Sequence, residues 1–162
     1  METALLSITP FDWPSIFTAL ACGTIIGIER QIRGKPAGIR TSALIILGTY
    51  IFMACSIYVS QSATMSDPSR IIGQIITGIG FLGAGVMLSK GRSVYGVTSA
   101  ATIWSLAAVG VCIGIGQLGS AFKLSVVVVI VLFGVDLFED YSQRIGQRMH
   151  SRYSDWRNRD DE

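Results

Sequence analysis

The sequence is poor in charge. Only 15% of its 162 residues are Asp, Glu, Lys or Arg, whereas a soluble domain carries about 25%. Half of the residues are hydrophobic and the mean hydropathy is +0.52. The few charges cluster between long apolar stretches, a pattern typical of membrane-spanning helices, because a helix satisfies its own backbone hydrogen bonds in lipid. This composition excludes a soluble enzyme, and a net charge of +2 is too small to indicate a nucleic-acid partner.

Residues that bind metals or form disulfides are also scarce. The three cysteines, Cys22, Cys55 and Cys112, lie far apart in apolar stretches, and His150 is the single histidine. Without a CxxC pair we expect neither a zinc site nor a disulfide framework, and we predict no cofactor. The start of the chain, residues 1–13, has no Lys or Arg, unlike the basic beginning of a signal peptide, so we expect the first apolar segment to be retained.

Five apolar segments separate the charged ones, and they predict an all-α polytopic bundle of about five transmembrane helices. We expect residues 1–141 to form this transmembrane domain and residues 142–162 to form a charged cytoplasmic tail. The segments run over Pro14–Ile28, Thr41–Val59, Ile71–Leu88, Val97–Ile115 and Leu118–Phe138.

The basic residues predict the orientation of this bundle. Four lie between segments one and two, two between segments three and four, and five in the tail, whereas Arg70 and Lys123 fall on the opposite side. Because basic residues accumulate on the cytoplasmic side of a membrane, we expect the N-terminus outside and the C-terminus in the cytoplasm.

Two GxGxxG patterns, at 78–83 and 114–119, match the dinucleotide-binding fingerprint. That reading needs a strand, a turn and an amphipathic helix with a polar face, and both patterns lie in apolar surroundings. We interpret the glycines as contact points between helices, since small residues let transmembrane helices approach closely. The glycines predicted to pack in this way are Gly23, Gly27, Gly73, Gly78, Gly80, Gly83, Gly85, Gly110 and Gly114.

The third segment has two different sides. Its small and polar residues fall on one side and its isoleucines on the other. We expect the small, polar side to face another helix or a second subunit, and the aliphatic side to face lipid. Segments one, three and four are predicted to pack tightly, with the Val-rich segment five at the periphery.

Two groups of polar residues are candidates for function. Asp67 is suited to cap segment three; alternatively, Asp67, Arg70 and Gln74 share one helix face and form a polar entrance for a cation or a partner. Glu29 and Arg40 flank the first hairpin, where either an ion pair or an ordinary basic loop is expected.

The same stretches resemble the MgtC/SapB family of bacterial membrane proteins. The resemblance covers about residues 20–116 and is carried by G-x-ERQ-x-x-GK-x-AG-x-RT from Gly27, DP-x-R-x-x-x-Q from Asp67, G-x-GFLGAG from Gly78 and G-x-T-x-AA-x-x-W from Gly96. It implies a bacterial inner-membrane protein of the short form, without a soluble C-terminal domain, linked to adaptation to low Mg²⁺ and, in pathogens, to virulence. The family's motif residues map onto Glu29, Arg30, Arg40, Asp67, Arg70, Gln74, Thr98 and Trp104.

Three functions remain open at this point. The first is a non-catalytic regulator that self-associates and acts through other inner-membrane proteins. The second is a transporter or channel for magnesium or another ion, although the middle of the predicted bundle offers no carboxylate. An intramembrane enzyme is the third, but Ser105 and Cys112 have no accompanying base. The expected partners are the lipid bilayer, a second copy of the chain and membrane proteins, without nucleic acid.

Overall fold

The structure, a computed structural model, describes residues 8–62, 67, 69–90 and 93–134. It contains five helices in this part of the chain, which confirms the all-α prediction. They are α1 (Trp13–Ile32), α2 (Ile39–Ser62), α3 (Ser69–Val86), α4 (Val97–Gly114) and α5 (Leu118–Gly134). The end of the predicted fifth segment and the predicted tail, 142–162, lie outside the described residues.

A short hairpin between α3 and α4 was not predicted. Strands β1 (Leu88–Lys90) and β2 (Ser93–Tyr95) pair antiparallel, with Leu88 opposite Tyr95. Gly96, with φ of 89°, lies between the hairpin and α4, and a Cβ there would meet the backbone of Val86 and Met87. This glycine therefore lets the chain turn back close to the end of α3.

Three of the described helices are long and apolar enough to cross a membrane: α2 over Ile39–Gln61, α3 and α4. The described part of α5 is apolar but shorter. Glu29 and Arg30 lie near the end of α1, which is 20 residues long. At 1.5 Å per residue, the 18 residues of α3 and of α4 extend over about 27 Å, close to the ~30 Å of a bilayer core.

The chain divides into two compact units, Met1–Val129 and Ile130–Glu162, and the second is described only over residues 130–134. Within the first unit α2 is the central helix, because it packs extensively on both α1 and α4. The prediction that segments one, three and four would form the tight core was therefore wrong. The first hairpin brings α2 against Gly23 and Gly27 of α1. Helix α4 also packs on α2.

The isoleucine side of α3 faces the protein. Ile75 is buried in a cluster with Met53 of α2 and Ala107 of α4, and Ile72 and Ile79 pack against it. The expectation that this side would face lipid was wrong. Packing buries Ile75 and partly buries Ile71, Ile72 and Ile79, whereas Ile76 and the small residues on the other side of α3 stay exposed.

The start of α1 is tied to the middle of α2. Asp12 caps α1 by accepting a hydrogen bond from the backbone N–H of Ser15 at 2.8 Å. The Tyr50 hydroxyl donates to the Asp12 carboxylate at 3.2 Å and accepts from the Asp12 backbone N–H at 3.1 Å. The second half of α2 therefore continues past the beginning of α1.

Candidate functional site

A buried acid and its arginines lie at the end of α1. The Glu29 residue is 3% exposed and Arg30 is 1% exposed. One Glu29 oxygen accepts a hydrogen bond from Arg30 Nη2 at 2.7 Å and forms an ion pair with Arg33 Nε at 2.9 Å, and Arg30 Nε donates to the other oxygen. Both carboxylate oxygens are thus engaged, and two guanidinium groups surround one carboxylate. Such charge-assisted, forked contacts are the strong form of the hydrogen bond.

Close approach of two helix backbones explains why this cluster is buried. A Cβ on Gly27 would lie 2.8 Å from the backbone nitrogen of Ile39, so a larger residue would push α1 and α2 apart. The connecting turn is tight: Gly34 and Ala37 have φ of 61° and 65°, in the left-handed region. The Ser42 hydroxyl donates to the Ala37 carbonyl at 2.8 Å and holds the turn against α2.

The ion pair predicted between Glu29 and Arg40 is not formed. Arg40 lies exposed in the first turn of α2, and Glu29 is paired within its own helix end. The reason is local geometry, since Arg33 lies four residues after Glu29 on the same helical face. Arg33 is the functional candidate that sequence reasoning missed, and this i, i+4 spacing was the signal for it.

A groove of about 1030 Å³ runs between α2 and α3. Its walls are mainly aliphatic and include Leu44, Ile45, Phe52, Ile71, Ile79 and Leu82. Three polar residues of α3 and its start also line it: Asp67, Arg70 and Gln74. The structure therefore brings these three predicted site residues to one surface, and it adds Gly48 of α2 opposite them, which the sequence did not single out.

Asp67 acts as a cap for α3, as predicted. Its carboxylate accepts from the Ser69 backbone N–H at 2.9 Å and from the Ser69 hydroxyl at 2.7 Å. The Ser69 side-chain and backbone hydrogen bonds, helped by the charge of Arg70, hold the pKa of Asp67 below its usual range. This end of the groove therefore carries an ionised acid and a guanidinium one helical turn apart.

Arg70 and Gln74 are exposed, and their side chains make no hydrogen bond or ion pair with the described residues. An amide that faces lipid without a partner is unfavourable, so such side chains usually meet another helix or line a cavity. Gln74 thus has hydrogen-bonding capacity that the described part of the chain does not use.

Thr98 and Trp104 lie apart from both polar groups. Thr98 is exposed at the start of α4, where its carbonyl accepts from the Thr102 hydroxyl at 2.8 Å. Trp104, 55% exposed, lies on the outer face of the same helix. Neither lines the groove or contacts Glu29.

The predicted packing glycines divide into two groups. Gly23, Gly27, Gly110 and Gly114 lie in helix–helix contacts that a Cβ would disrupt, and a Cβ on Gly83 would make an ordinary contact with Ala100. A Cβ on each of the other four, Gly73, Gly78, Gly80 and Gly85, would have nothing within 4 Å among the described residues. A packing role for these four stays a prediction and requires a partner from outside the described residues.

Comparison with known proteins places these features in a family. The MgtC family profile matches residues 16–141. YhiD of Escherichia coli K12, which is named provisionally as a magnesium transporter, is 45% identical over 122 residues, covering 72% of this chain and 56% of the relative. The MgtC protein of Salmonella typhimurium LT2 is 40% identical over 133 residues, 82% of this chain and 54% of the relative.

A third relative matches to a similar extent. The MgtC protein of Brucella abortus is 42% identical over 113 residues, 70% of this chain and 46% of the relative. This chain therefore spans about half the length of the curated relatives that it matches. No solved structure matches it. With the family profile covering most of its length, the chain is a membrane protein that belongs to the MgtC family.

Proposed function

We propose that this protein is a non-catalytic regulator in the bacterial inner membrane. It crosses the membrane several times, acts through contacts with other membrane proteins, and serves adaptation to low magnesium or a related membrane stress. The link to magnesium rests on the names of its relatives, YhiD and MgtC, and the family is not a known enzyme family.

The state of the carboxylates carries this proposal. In the part of the chain that the structure describes there are three: Asp12, Glu29 and Asp67. Asp12 and Asp67 cap helices, and both oxygens of Glu29 are held by arginines. Mg²⁺ binds carboxylates and keeps several waters, so a carboxylate enclosed by two guanidinium groups is a poor ligand for it. Glu29 is therefore better suited to hold the α1–α2 hairpin together than to conduct a cation.

An ion transporter is the second candidate. The groove between α2 and α3 favours it, since an acid lies at one end of a cavity of about 1030 Å³, and the name of YhiD points the same way. A conducting path requires hydrogen-bonding or charged groups along its length. The groove walls beyond Gln74 are mainly aliphatic, apart from small hydroxyl and thiol groups on α2.

Two measurements on the same purified protein separate these functions. The first is Mg²⁺ uptake into liposomes that contain the folded protein, with protein-free liposomes as the background. The matched variant is Asp67→Asn, since asparagine retains the helix cap and removes the charge. We expect uptake at the background level for both proteins.

The second measurement is growth in low Mg²⁺ of a strain that lacks the gene, complemented with either form. If the protein is a regulator, it restores growth in low Mg²⁺ even though it gives no Mg²⁺ uptake in liposomes. Uptake well above background that falls in Asp67→Asn would contradict the proposal and support a transporter.

A further inference from the structure

The exposed side of α3 carries residues at alternating spacings of three and four. We call this set the α3 seam. All of its members are exposed, and Phe81 is 82% exposed. The members are Asp67, Arg70, Gln74, Thr77, Phe81 and Ala84. A spacing that repeats every seven residues places the side chains along one line of a helix, and two helices pack against each other through such a line.

The core contacts of α3 with the other described helices lie on the opposite side of this helix. Ile75 and Gly83 are the buried residues of α3, and Ile72 and Ile79 contact the core cluster. None of these four belongs to the seam. Contacts among the described residues therefore leave uncovered the side of α3 that has the spacing expected for pairing with another helix.

Glycines flank the seam on both sides. Gly73 and Gly80 directly precede Gln74 and Phe81, and Gly78 and Gly85 directly follow Thr77 and Ala84. These are the four predicted packing glycines on which a Cβ would have nothing within 4 Å among the described residues. Residues without side chains on both flanks let a second helix come close to the seam.

The polar members of the seam are complementary to a second copy of themselves. Asp67 and Arg70 carry opposite charges, and Gln74 has an amide that both donates and accepts. Arg70 and Gln74 make no side-chain hydrogen bond with the described residues, although both also line the groove. An interface between identical chains related by a twofold axis must be self-complementary. An acid, a base and an amide on one helix face meet this requirement.

We propose that α3 pairs in parallel with α3 of a second copy of this chain. Copies insert in the membrane with the same orientation, so the twofold axis lies along the membrane normal and each level of the seam faces the same level of the other copy. Gln74 then bonds to Gln74 of the partner, and Asp67 of each chain is within reach of the partner's Arg70. The pairing does not depend on the regulatory role, because a transporter could form the same dimer.

Cysteine crosslinking in native membranes tests the pairing. The background is Cys22→Ala, Cys55→Ala, Cys112→Ala, into which Gln74→Cys is introduced. The matched control is Ile76→Cys, since Ile76 is on the same helix and 46% exposed but lies off the seam. We expect oxidation to give a disulfide-linked dimer with Gln74→Cys and little with Ile76→Cys. Equal crosslinking at both positions, or none at Gln74→Cys, would overturn the proposal.

Charge exchange gives a second test that does not rely on cysteine. The variants D67R and R70D each place like charges across the proposed axis, so each alone should dimerise poorly. Chains of D67R mixed with chains of R70D bring opposite charges together at both contacts. We expect tagged copies of the two variants to co-purify with each other more than either does with itself. Loss of the Asp67 cap affects only the D67R chains, so by itself it would make the mixed pair intermediate between the two self pairs and could not make it the strongest.

A third test measures the contact between Gln74 and Gln74 of the second copy through the dimer association constant. Gln74→Leu should lower the dimer association constant by about threefold to tenfold, the effect of one or two hydrogen bonds between helices in a bilayer. An unchanged constant would contradict the Gln74–Gln74 contact, and crosslinking of Gln74→Cys only to a different membrane protein would show that the seam serves another partner. Failure of these tests would leave the growth and uptake experiments unaffected, so the two proposals fail separately.

Discussion

At the scale of single residues, the buried Glu29 is the most informative side chain. A carboxylate that is 3% exposed is tolerated only with partners, because an unpaired charge in such a place is strongly unfavourable. Arg30 and Arg33 supply those partners from the same helix end. The sequence showed that Glu29 was unusual beside a membrane, but the choice between Arg33 and Arg40 as its partner needed the structure.

Replacement of Glu29 by Gln should destabilise the protein by about 3–5 kcal/mol, the effect of breaking a buried ion pair, because Arg30 is left buried without a counter-charge. The measurement is the free energy of unfolding by SDS titration in mixed micelles. Arg40→Gln is the matched control: its side chain is exposed and unpaired among the described residues, so a change within about 0.5 kcal/mol is expected. Equal effects of the two variants would show that Glu29 is not the buried anchor of this cluster.

Asp12 gives a prediction about pH. Burial acts to raise the pKa of Asp12, but hydrogen bonds from Ser15 and Tyr50 outweigh it and leave the pKa lowered. A lowered pKa in the folded state means that the ionised carboxylate stabilises the fold above its ordinary pKa, and that this stability is lost as the pH falls through the folded value.

Asp12→Ala should therefore cost about 1 kcal/mol at pH 7, the usual effect of removing a helix cap, and progressively less below about pH 4. The measurement is the unfolding free energy of variant and parent across this range. Asp12→Asn is the control, because it keeps a capping oxygen that does not titrate. A cost for Asp12→Ala that stays constant with pH would contradict the assignment of the cap.

At the scale of the helix, glycines that lie in similar apolar stretches of the sequence have different surroundings in the structure. Gly110 of α4 fits against α2, where a Cβ would lie 2.6 Å from Thr49 Cβ and 2.7 Å from the Ile46 carbonyl oxygen. Gly48 of α2 has open space where its Cβ would be. The sequence predicted that small residues would mediate helix contacts, but it could not show which ones did so within one chain, because that depends on the rotation of each helix about its axis.

Gly110→Ala should destabilise the protein by about 1–3 kcal/mol, the range for overpacking a tight contact. Gly48→Ala is the matched control on the facing helix, and it should be neutral or stabilise by up to about 1 kcal/mol, since alanine favours helix more than glycine. Both free energies come from the same SDS unfolding assay in micelles. A stabilising Gly110→Ala would mean that α4 does not approach α2 as closely as the structure has it.

At the scale of the whole molecule, the remaining question is orientation in the membrane. Alternation of the helices predicts that the α1–α2 turn, with Lys35, and the α4–α5 turn, with Gln117, lie on opposite sides. Both residues are exposed in the structure. The distribution of basic residues predicts that the Lys35 turn is cytoplasmic.

Cysteine accessibility tests this orientation. In the cysteine-free background, Gln117→Cys in intact spheroplasts should react with a membrane-impermeant maleimide. Lys35→Cys should react only after the membrane is permeabilised. The opposite pattern would invert the protein, and labelling of both residues in intact spheroplasts would contradict the three crossings by α2, α3 and α4 that separate the two turns.

The sequence by itself determined the class of this protein and the positions of its helices. Apolar stretches separated by clustered charges leave a helical bundle as the stable solution in lipid, and Asp67 before α3 is a local cap that needs no distant partner. The MgtC family was likewise apparent from motifs of adjacent residues.

Only the tertiary structure decided how these helices contact one another. It made α2 the central helix, turned the isoleucines of α3 inward and left the seam exposed. Hydropathy cannot decide this, because lipid and the interior of a membrane protein are similarly apolar, so either side of α3 could face either one. What separates them is the fit of one helix surface to another, as between Gly110 and Thr49, and that fit depends on residues distant in the chain.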